Sequence, residues 1–154
     1  MIEAVRRATD ADRDALAGLE ADARLTMAHE RGGPERLAEV AEAGATGWAA
    51  RIADPDWFVL IATIDDIPLG YVSAELRDDS VVVEAIWVEP DARELGLGEA
   101  LLTSVLEAAR SRGARTAEAV ALPGDRSTKN LFERFGMKAR ALIVGKRLDE
   151  PESD

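Results

Sequence analysis

The fold is decided by one segment, Val83-Glu84-Ala85-Ile86-Trp87-Val88-Glu89-Pro90-Asp91-Ala92-Arg93-Glu94-Leu95-Gly96-Leu97-Gly98-Glu99-Ala100-Leu101. It begins with the β-branched and aromatic residues of a buried strand, passes through a turn with two glycines, and ends in a helix. The first N–H groups of a helix have no carbonyl partner within it and lie at the positive end of its dipole. The turn is therefore suited to bind a phosphate, and Gly96 and Gly98 let the backbone approach it closely.

Glycine turns before helices also bind dinucleotides and nucleoside triphosphates. However, the first strand is not followed by G-x-G-x-x-G, and no Lys-Ser or Lys-Thr follows Gly98 as a P-loop requires. A G-x-G turn alone is structural as often as it is functional. The assignment therefore needs a second signal from the rest of the chain.

The flanking sequence predicts an α/β (α+β) fold. We expect strands at 5–8, 57–61, 69–76, 80–89, 116–122 and 138–148, with the three between 57 and 89 antiparallel. We expect helices at 10–23 and 99–112, one capped by Ser127 that ends at Gly136, and two short or broken helices between Pro34 and Ile52. This order predicts a mixed, mostly antiparallel central sheet of six to seven strands, flanked by about four helices and covered on both faces.

Composition limits the partners. The chain has 154 residues, 30 acidic against 19 basic, a net charge of -11 and no cysteine. We expect one domain at 1–148, an acidic and frayed tail at 149–154, no nucleic-acid partner, no membrane partner and a cytoplasmic location. The acidity either serves solubility or attracts a cationic substrate. His29, the only histidine, has no ligand-type neighbours at metal-binding spacing, so we expect no metal.

The second signal is a family resemblance. Val88-Glu89-Pro90 followed by Arg93-Glu94-Leu95-Gly96-Leu97-Gly98 resembles the V-x-P-x-x-R-x-x-G-x-G signature of the GNAT superfamily of N-acetyltransferases. Residues 132–137, Phe-Glu-Arg-Phe-Gly-Met, are similar to that family's Y-E-K-x-G-F. The resemblance covers most of 2–148, is strong over 83–113, and is only topological before 57, where such proteins choose their substrate. It implies a GNAT-like fold and direct transfer of an acetyl group from acetyl-CoA to an amine.

The resemblance also implies a cofactor site. Main-chain amides of the turn would hold the CoA pyrophosphate, at Arg93, Glu94, Leu95, Gly96, Leu97, Gly98 and Glu99. The pantetheine arm would pair with the main chain of Ile86, Trp87 and Val88, and an amide near Val88 would face the thioester carbonyl. Lys129, with Arg93 and Arg126, would supply positive charge near the phosphates.

The candidate catalytic residue is Glu84, four residues before Val88 on the most apolar strand. A similar glutamate occurs there in several members of the family and takes the proton of the amine. A solvated strand glutamate or an ion pair with an arginine explains Glu84 equally well, and Glu118 is the reserve base.

One position departs from the family pattern. Phe132 stands where many members have the tyrosine that protonates the departing thiolate, so water or Ser127 must substitute. The departure keeps an alternative open, a catalytically silent acyl-CoA-binding or sensing module. The sequence does not identify the acceptor amine or say whether other acyl groups are used. An exposed final strand at 138–148 would allow a homodimer.

Overall fold

The computed structural model describes residues 1–149, so all but the first residue of the predicted tail at 149–154 lies outside the described part. The strands are β1 Glu3–Arg7, β2 Trp57–Ile64, β3 Ile67–Arg77, β4 Ser80–Val88 and β5 Thr116–Ala119. The α-helices are α1 Arg13–Met27, α2 Gly33–Glu39, α3 Gly44–Ala53, α4 Leu97–Ser111 and α5 Arg126–Arg134. Two short 3-10 helices, Asp10–Asp12 and Pro90–Leu95, precede α1 and α4.

The five strands form one sheet in the order β1-β2-β3-β4-β5. Strands β1 to β4 are antiparallel neighbours, which confirms the three antiparallel strands predicted between 57 and 89, and β5 runs parallel to β4. Asp65 and Asp66 form the β2–β3 turn with φ of 49° and 66°. Aspartate tolerates this left-handed region better than most residues, so the Asp-Asp pair suits a tight hairpin.

Strand β2 shows how both faces of the sheet are buried. Its residues Phe58 and Leu60 belong to the core shared with α4 and α5, whereas the alternating Val59 and Ile61 belong to a second core beneath α1 and α3. Trp48 of α3 is fully buried in that second core. The structure thus confirms the α/β class and the covering of both faces.

The predicted numbers of elements need correction. We expected six to seven strands and about four helices, whereas residues 1–149 contain five strands and five α-helices. The predicted final strand at 138–148 is wrong, because no strand is formed there. The run Leu142, Ile143 and Val144 has strand propensity, but these side chains are 86–91% exposed. A strand needs a hydrogen-bonded neighbour as well as propensity. Within the described part of the chain, the edge strand β5 is paired only with β4.

The N-terminus of α5 also differs from expectation. We expected Ser127 to cap this helix, but the N-cap is Asp125, whose Oδ1 accepts a hydrogen bond from the Thr128 amide at 3.1 Å. Aspartate and serine are both good N-caps, and the spacing alone does not choose between neighbours.

Strand β4 contains a bulge at the residue that the sequence singled out. Ser73 of β3 lies opposite Ala85, and Ala74 lies opposite Val83, so Glu84 has no opposite residue. Bulges bend a strand and re-aim side chains, and they are common beside active sites. At the same point β4 separates from β5, whose last pair joins Val83 to Ala119.

Candidate active site

The separation of β4 from β5 leaves one edge of β4 without a strand partner among residues 1–149. Beyond Val83, β4 continues to Val88 with β3 on one side only. The Glu89 amide donates to the Leu69 carbonyl on the β3 side at 2.8 Å. Because main-chain groups alternate in direction along a strand, the N–H and C=O of Val88 face the open side. Arg93 Nε donates to the Val88 carbonyl at 3.0 Å, so the Val88 amide is the group left for a ligand.

The open edge leads to the glycine turn. Gly96, the N-cap of α4, has φ 76°, a left-handed conformation that favours glycine, and a Cβ there would point into open space. The Ala100 amide donates to the Gly96 carbonyl at 3.1 Å. The preceding amides of Leu97, Gly98 and Glu99 find no main-chain or side-chain acceptor among residues 1–149. The first turn of α4 therefore presents three free N–H donors.

Two cavities meet beside the open edge of β4. The first lies between β4, α4 and α5 and is lined by Glu30, Ile86, Trp87, Val88, Arg93, Gly98, Glu99, Asp125, Ser127, Thr128, Leu131 and Arg134. The second extends beneath α1 and α2, and its walls include Glu20, Arg24, Arg36, Tyr71, Glu84 and Phe132. Five residues line both cavities, and we call them the junction: Glu30, Ile86, Trp87, Asp125 and Thr128.

Two glycines hold the turn after α1 against the β5–α5 loop. A Cβ at Gly32 would lie 3.4 Å from the Pro123 side chain, and one at Gly124 would lie 3.0 Å from the Arg31 amide nitrogen. These close approaches bring Glu30 and Asp125 to the junction from two segments far apart in the sequence. Burial raises the pKa of the Glu30 carboxyl, and the nearby Asp125 raises it further, while Arg93 opposes them.

Glu84 lies in the wall of the second cavity as one half of an ion pair. Arg51 Nη1 and Nη2 donate to its two carboxylate oxygens at 2.7 and 3.1 Å, a bidentate arrangement. Both side chains are largely buried, 17% exposed for Arg51 and 20% for Glu84. The guanidinium also lies over the rings of Trp48 and Trp57, at 5.0 and 4.3 Å from their centroids. Glu84 is therefore held in one orientation at the edge of the cavity.

A buried carboxylate fixes the helix that carries Arg51. Glu20 of α1 accepts hydrogen bonds from the amides of Ala43 and Gly44 at 2.9 and 3.0 Å, and from Trp48 Nε1 at 3.1 Å. It thereby pairs donors at the start of α3 that the helix itself leaves free. The position of Glu84 thus depends on a chain of contacts from α1 through α3.

Other predicted site residues are divided between cavity and surface. Six of the predicted cofactor residues line a cavity: Ile86, Trp87, Val88, Arg93, Gly98 and Glu99. Phe132 is buried and lines the second cavity, and Ser127 lines the first. The other predicted residues line neither cavity: Glu94, Leu95, Gly96, Leu97, Arg126, Glu118 and Lys129. Glu118 pairs with Arg140 at 3.0 Å, and Lys129 pairs with Glu133 at 3.6 Å. Glu99 pairs with Arg134 beside the turn.

Sequence reasoning missed four residues. Glu30, in the turn between α1 and α2, and Arg36 line the second cavity, and Arg51 holds Glu84. Arg36 and Arg51 come from the region where the pattern indicated only broken helices. Tyr71 was also overlooked. Burial raises its pKa far above the ordinary value, so its phenol is a neutral hydroxyl at the cavity wall.

Comparison with known proteins decides the family. Residues 23–137, more than half of the chain, match the Acetyltransferase (GNAT) family. The chain belongs to the GNAT family. This confirms the resemblance drawn from the V-x-P-x-x-R-x-x-G-x-G segment, which lies within the matched range.

One curated relative of this GNAT protein is an uncharacterized N-acetyltransferase of Methanocaldococcus jannaschii. The two are 24% identical over 99 residues, which cover 60% of this chain and 43% of the relative. The chain therefore matches less than half the length of that relative.

Solved structures share the fold of this GNAT protein. A transcriptional regulator from Bacillus halodurans C-125 has a TM-score of 0.71 at 16% identity, covering 96% of this chain and all of the other. AAC(6')-Iy in complex with a bisubstrate analog, CoA-S-monomethyl-acetylneamine, has 0.70 at 18%, covering 96% and 99%. A PaiA N-acetyltransferase from Thermoplasma acidophilum in complex with coenzyme A has a TM-score of 0.70 at 11% identity, covering 88% of this chain and 89% of the other.

Within residues 1–149, no helix has the length and apolar character needed to cross a bilayer.

Proposed function

We propose that this GNAT protein transfers the acetyl group of acetyl-CoA to an amine by direct attack of the amine on the thioester. The observation that carries the proposal is the unpaired edge of β4, which leads directly to three free N–H donors at the start of α4. An extended arm with a diphosphate at one end matches this arrangement, because the arm can hydrogen-bond like a strand and the diphosphate can accept from the helix terminus.

The cofactor would be held mainly by the backbone. The amides of Leu97, Gly98 and Glu99 would bind the pyrophosphate, and the main chain from Ile86 to Val88 would pair with the pantetheine arm. The Val88 amide would then stabilise the oxyanion that forms when the amine attacks the thioester carbonyl. Acetyl-CoA supplies the activated acyl group, and the protein holds and orients it.

The amine would enter from the second cavity. Its walls carry four carboxylates, Glu20, Glu30, Glu84 and Asp125, against the two arginines Arg24 and Arg36, an excess that favours a cationic acceptor. An alkyl amine with a pKa near 10.4 is mostly protonated at pH 7 and must lose a proton before it attacks. We propose Glu84 as the group that takes this proton through a water, since each carboxylate oxygen has a second lone pair beyond the one Arg51 uses.

The departing thiolate needs a proton from elsewhere. Phe132 has none to give, whereas the Ser127 hydroxyl lines the first cavity. We propose Ser127, or a water beside it, as the proton source. A thiolate is a tolerable leaving group near neutral pH, so the loss of a tyrosine at this position slows the step without preventing it.

A thermal-shift screen with CoA esters, followed by an amine panel scored for free thiol, tests the proposal. At a hundred times its dissociation constant, acetyl-CoA is expected to stabilise the fold by about 2.7 kcal/mol, and at least one amine is expected to release CoA. No stabilisation by any CoA ester would contradict the cofactor assignment. Binding without thiol release by any amine would favour the catalytically silent sensing module, the alternative that the phenylalanine at position 132 keeps open.

We also propose that the segment 138–148 pairs with a second copy of the chain. Leu142, Ile143 and Val144 are exposed, and the outer edge of the four-residue strand β5 is unpaired within residues 1–149. The ion pair between Arg140 and Glu118 places the segment beside that edge. A continuous apolar segment next to a free edge is the arrangement from which strands of two chains pair.

Light scattering after gel filtration tests this pairing. The wild type is expected at twice the chain mass of 16.6 kDa. Ile143→Lys is expected as a monomer, because it removes apolar surface that the pairing would bury on a face of the joined sheet and replaces it with a charge. Leu25→Lys, on the exposed face of α1, is the control and keeps the dimer. A monomeric wild type would contradict the proposal.

A further inference from the structure

Tyr71 places an unpaired hydroxyl in the wall of the second cavity. Its side chain is only 2% exposed, yet the hydroxyl makes no hydrogen bond with any residue of 1–149. The fully shielded side-chain polar atoms without a partner in this part of the chain are Ser80 Oγ and Trp87 Nε1, so the Tyr71 hydroxyl is not sealed off and reaches the cavity. Buried polar groups are almost always hydrogen-bonded, so this hydroxyl indicates a partner that enters the cavity.

Strand register and aromatic packing fix the position of this hydroxyl. Tyr71 of β3 lies opposite Trp87 of β4, and its ring packs edge-on against Trp48, with the ring centroids 5.4 Å apart. Trp48 is itself fully buried and donates from Nε1 to the Glu20 carboxylate at 3.1 Å. The phenol ring is therefore held in one orientation, and its hydroxyl does not swing toward a partner on the protein.

The charges around the hydroxyl favour a hydrogen-bond donor as its partner. Burial contributes most to the raised pKa of Tyr71, and the carboxylates of Glu20 and Glu84 raise it further. Arg51 and Arg24 oppose them with smaller effects. Because the carboxylates outweigh the arginines at this point, the phenol oxygen attracts a cation or a polarised N–H or O–H group, and repels an anion.

The partner of Tyr71 is separate from the nitrogen that receives the acetyl group. That nitrogen must meet the thioester at the junction, whose residues line both cavities, whereas Tyr71 lines only the second cavity. A ligand group that touches the phenol oxygen directly therefore belongs to another part of the acceptor.

We infer that Tyr71 Oη is a specificity-determining contact of the acceptor, and that it accepts a hydrogen bond from a second N–H or O–H group besides the reacting amine. This inference rests on the proposed function, because the acceptor must occupy the second cavity. It names the acceptor class as diamines and amino alcohols rather than simple alkylamines. An acceptor without the second donor displaces water from the hydroxyl and gives no hydrogen bond in return, which lowers its affinity.

Acetylation of matched amines tests the contact. The probes are the diamines from ethylenediamine to hexamethylenediamine and the corresponding amino alcohols, each paired with the n-alkylamine of the same chain length. Tyr71→Phe removes only the hydroxyl. We expect kcat/KM for at least one two-donor acceptor to fall about tenfold, the value of one hydrogen bond, while its paired alkylamine changes less than about twofold. Equal changes within every pair would overturn the inference.

A binding measurement does not depend on turnover. Tyr71 is the only tyrosine of the chain, so protein carrying ¹³C at the tyrosine Cζ gives a single signal from this residue. In the presence of CoA, a two-donor amine is expected to shift that signal, and the paired alkylamine is expected to leave it in place. A signal that none of the diamines or amino alcohols moves would overturn the inference. If acetyl-CoA binds but no amine releases CoA, the proposed function fails, while this signal still tests the contact.

Thermal melting of Tyr71→Phe separates a ligand contact from a structural role. The hydroxyl has no partner among residues 1–149, so its removal is expected not to lower the melting temperature of the free protein. A fall of several degrees would show that the hydroxyl stabilises the fold itself, and would overturn its assignment to the acceptor.

Discussion

Gly96→Asp is expected to weaken acetyl-CoA binding by roughly 30- to 150-fold while the protein remains folded. Aspartate tolerates the left-handed φ of 76° at this position better than most residues, and its Cβ would enter open space. The new carboxylate would stand where the diphosphate approaches the free amides of α4. Repulsion between such charges a few ångströms apart near a protein surface costs about 2–3 kcal/mol, which gives this loss of affinity. Titration calorimetry with acetyl-CoA measures it.

The other end of the same helix offers a matched control. Gly113 follows α4, has φ 94°, and also has open space where a Cβ would stand. Gly113→Asp introduces the same residue in a similar backbone conformation, and its charge opposes the negative end of the helix dipole. We expect it to destabilise the fold at least as much as Gly96→Asp but to leave acetyl-CoA affinity within about twofold of the wild type. Equal losses of affinity at both glycines would show that α4 stability, rather than the turn, controls binding.

Glu84→Gln is expected to lower kcat by about 10²- to 10⁴-fold, the usual range for removing a general base. Glutamine keeps the shape of the side chain and one acceptor oxygen for Arg51, but its amide nitrogen faces the other Arg51 nitrogen as donor against donor. A thermal melt of the variant therefore accompanies the kinetics, and the loss of kcat is assigned to the missing proton acceptor when the fold is retained. Binding of acetyl-CoA is expected to be unchanged, because Glu84 lines only the second cavity. Steady-state kinetics over a pH series, with calorimetry for the cofactor, separate the two effects.

Glu118→Gln is the control for this experiment. Glu118 was the reserve base, but it pairs with Arg140 on the exposed side of β5 and lines neither cavity. Its replacement is expected to change kcat by less than threefold, as is typical of an exposed ion pair. If Glu84→Gln also stayed within threefold, the proton would have to go to another carboxylate of the second cavity, and Glu84 would only anchor Arg51.

Local patterns were sufficient to predict much of the fold. The β-branched run at Trp57–Ile64 and the apolar spacing on α4 indicate their structures directly, because each pattern reflects contacts made within or next to one element. The segment 138–148 shows the limit of that reasoning. Its composition is that of a strand, but pairing depends on a neighbour that composition does not reveal.

The sequence predicted the candidate site only where main-chain groups form it. The free amides at 97–99 follow from a glycine and a helix start, both of which the sequence shows. Glu30 and Arg51 reach the site through tertiary packing. Arg51 binds the Glu84 carboxylate across 33 residues of chain, and Arg36 Nη2 donates to the Glu84 carbonyl across 48. No local pattern marks such residues. The ion pair offered as one explanation of Glu84 was correct, but its partner Arg51 was not identified.

Because Glu84 has no opposite residue on β3, the alternation of side chains between the two faces of the sheet shifts by one residue at this point of β4. Val81 and Val83, at odd positions, pack in the same core as Ile86 and Val88, at even positions, while Ala85 and Trp87 face the other side. In a homologue that lacks this one extra residue but is otherwise identical, the tryptophan equivalent to Trp87 would face α4 and α5, and the valine equivalent to Val88 would face α1. An alignment that misplaces a gap within 83–85 therefore assigns residues of β4 to the wrong face of the sheet.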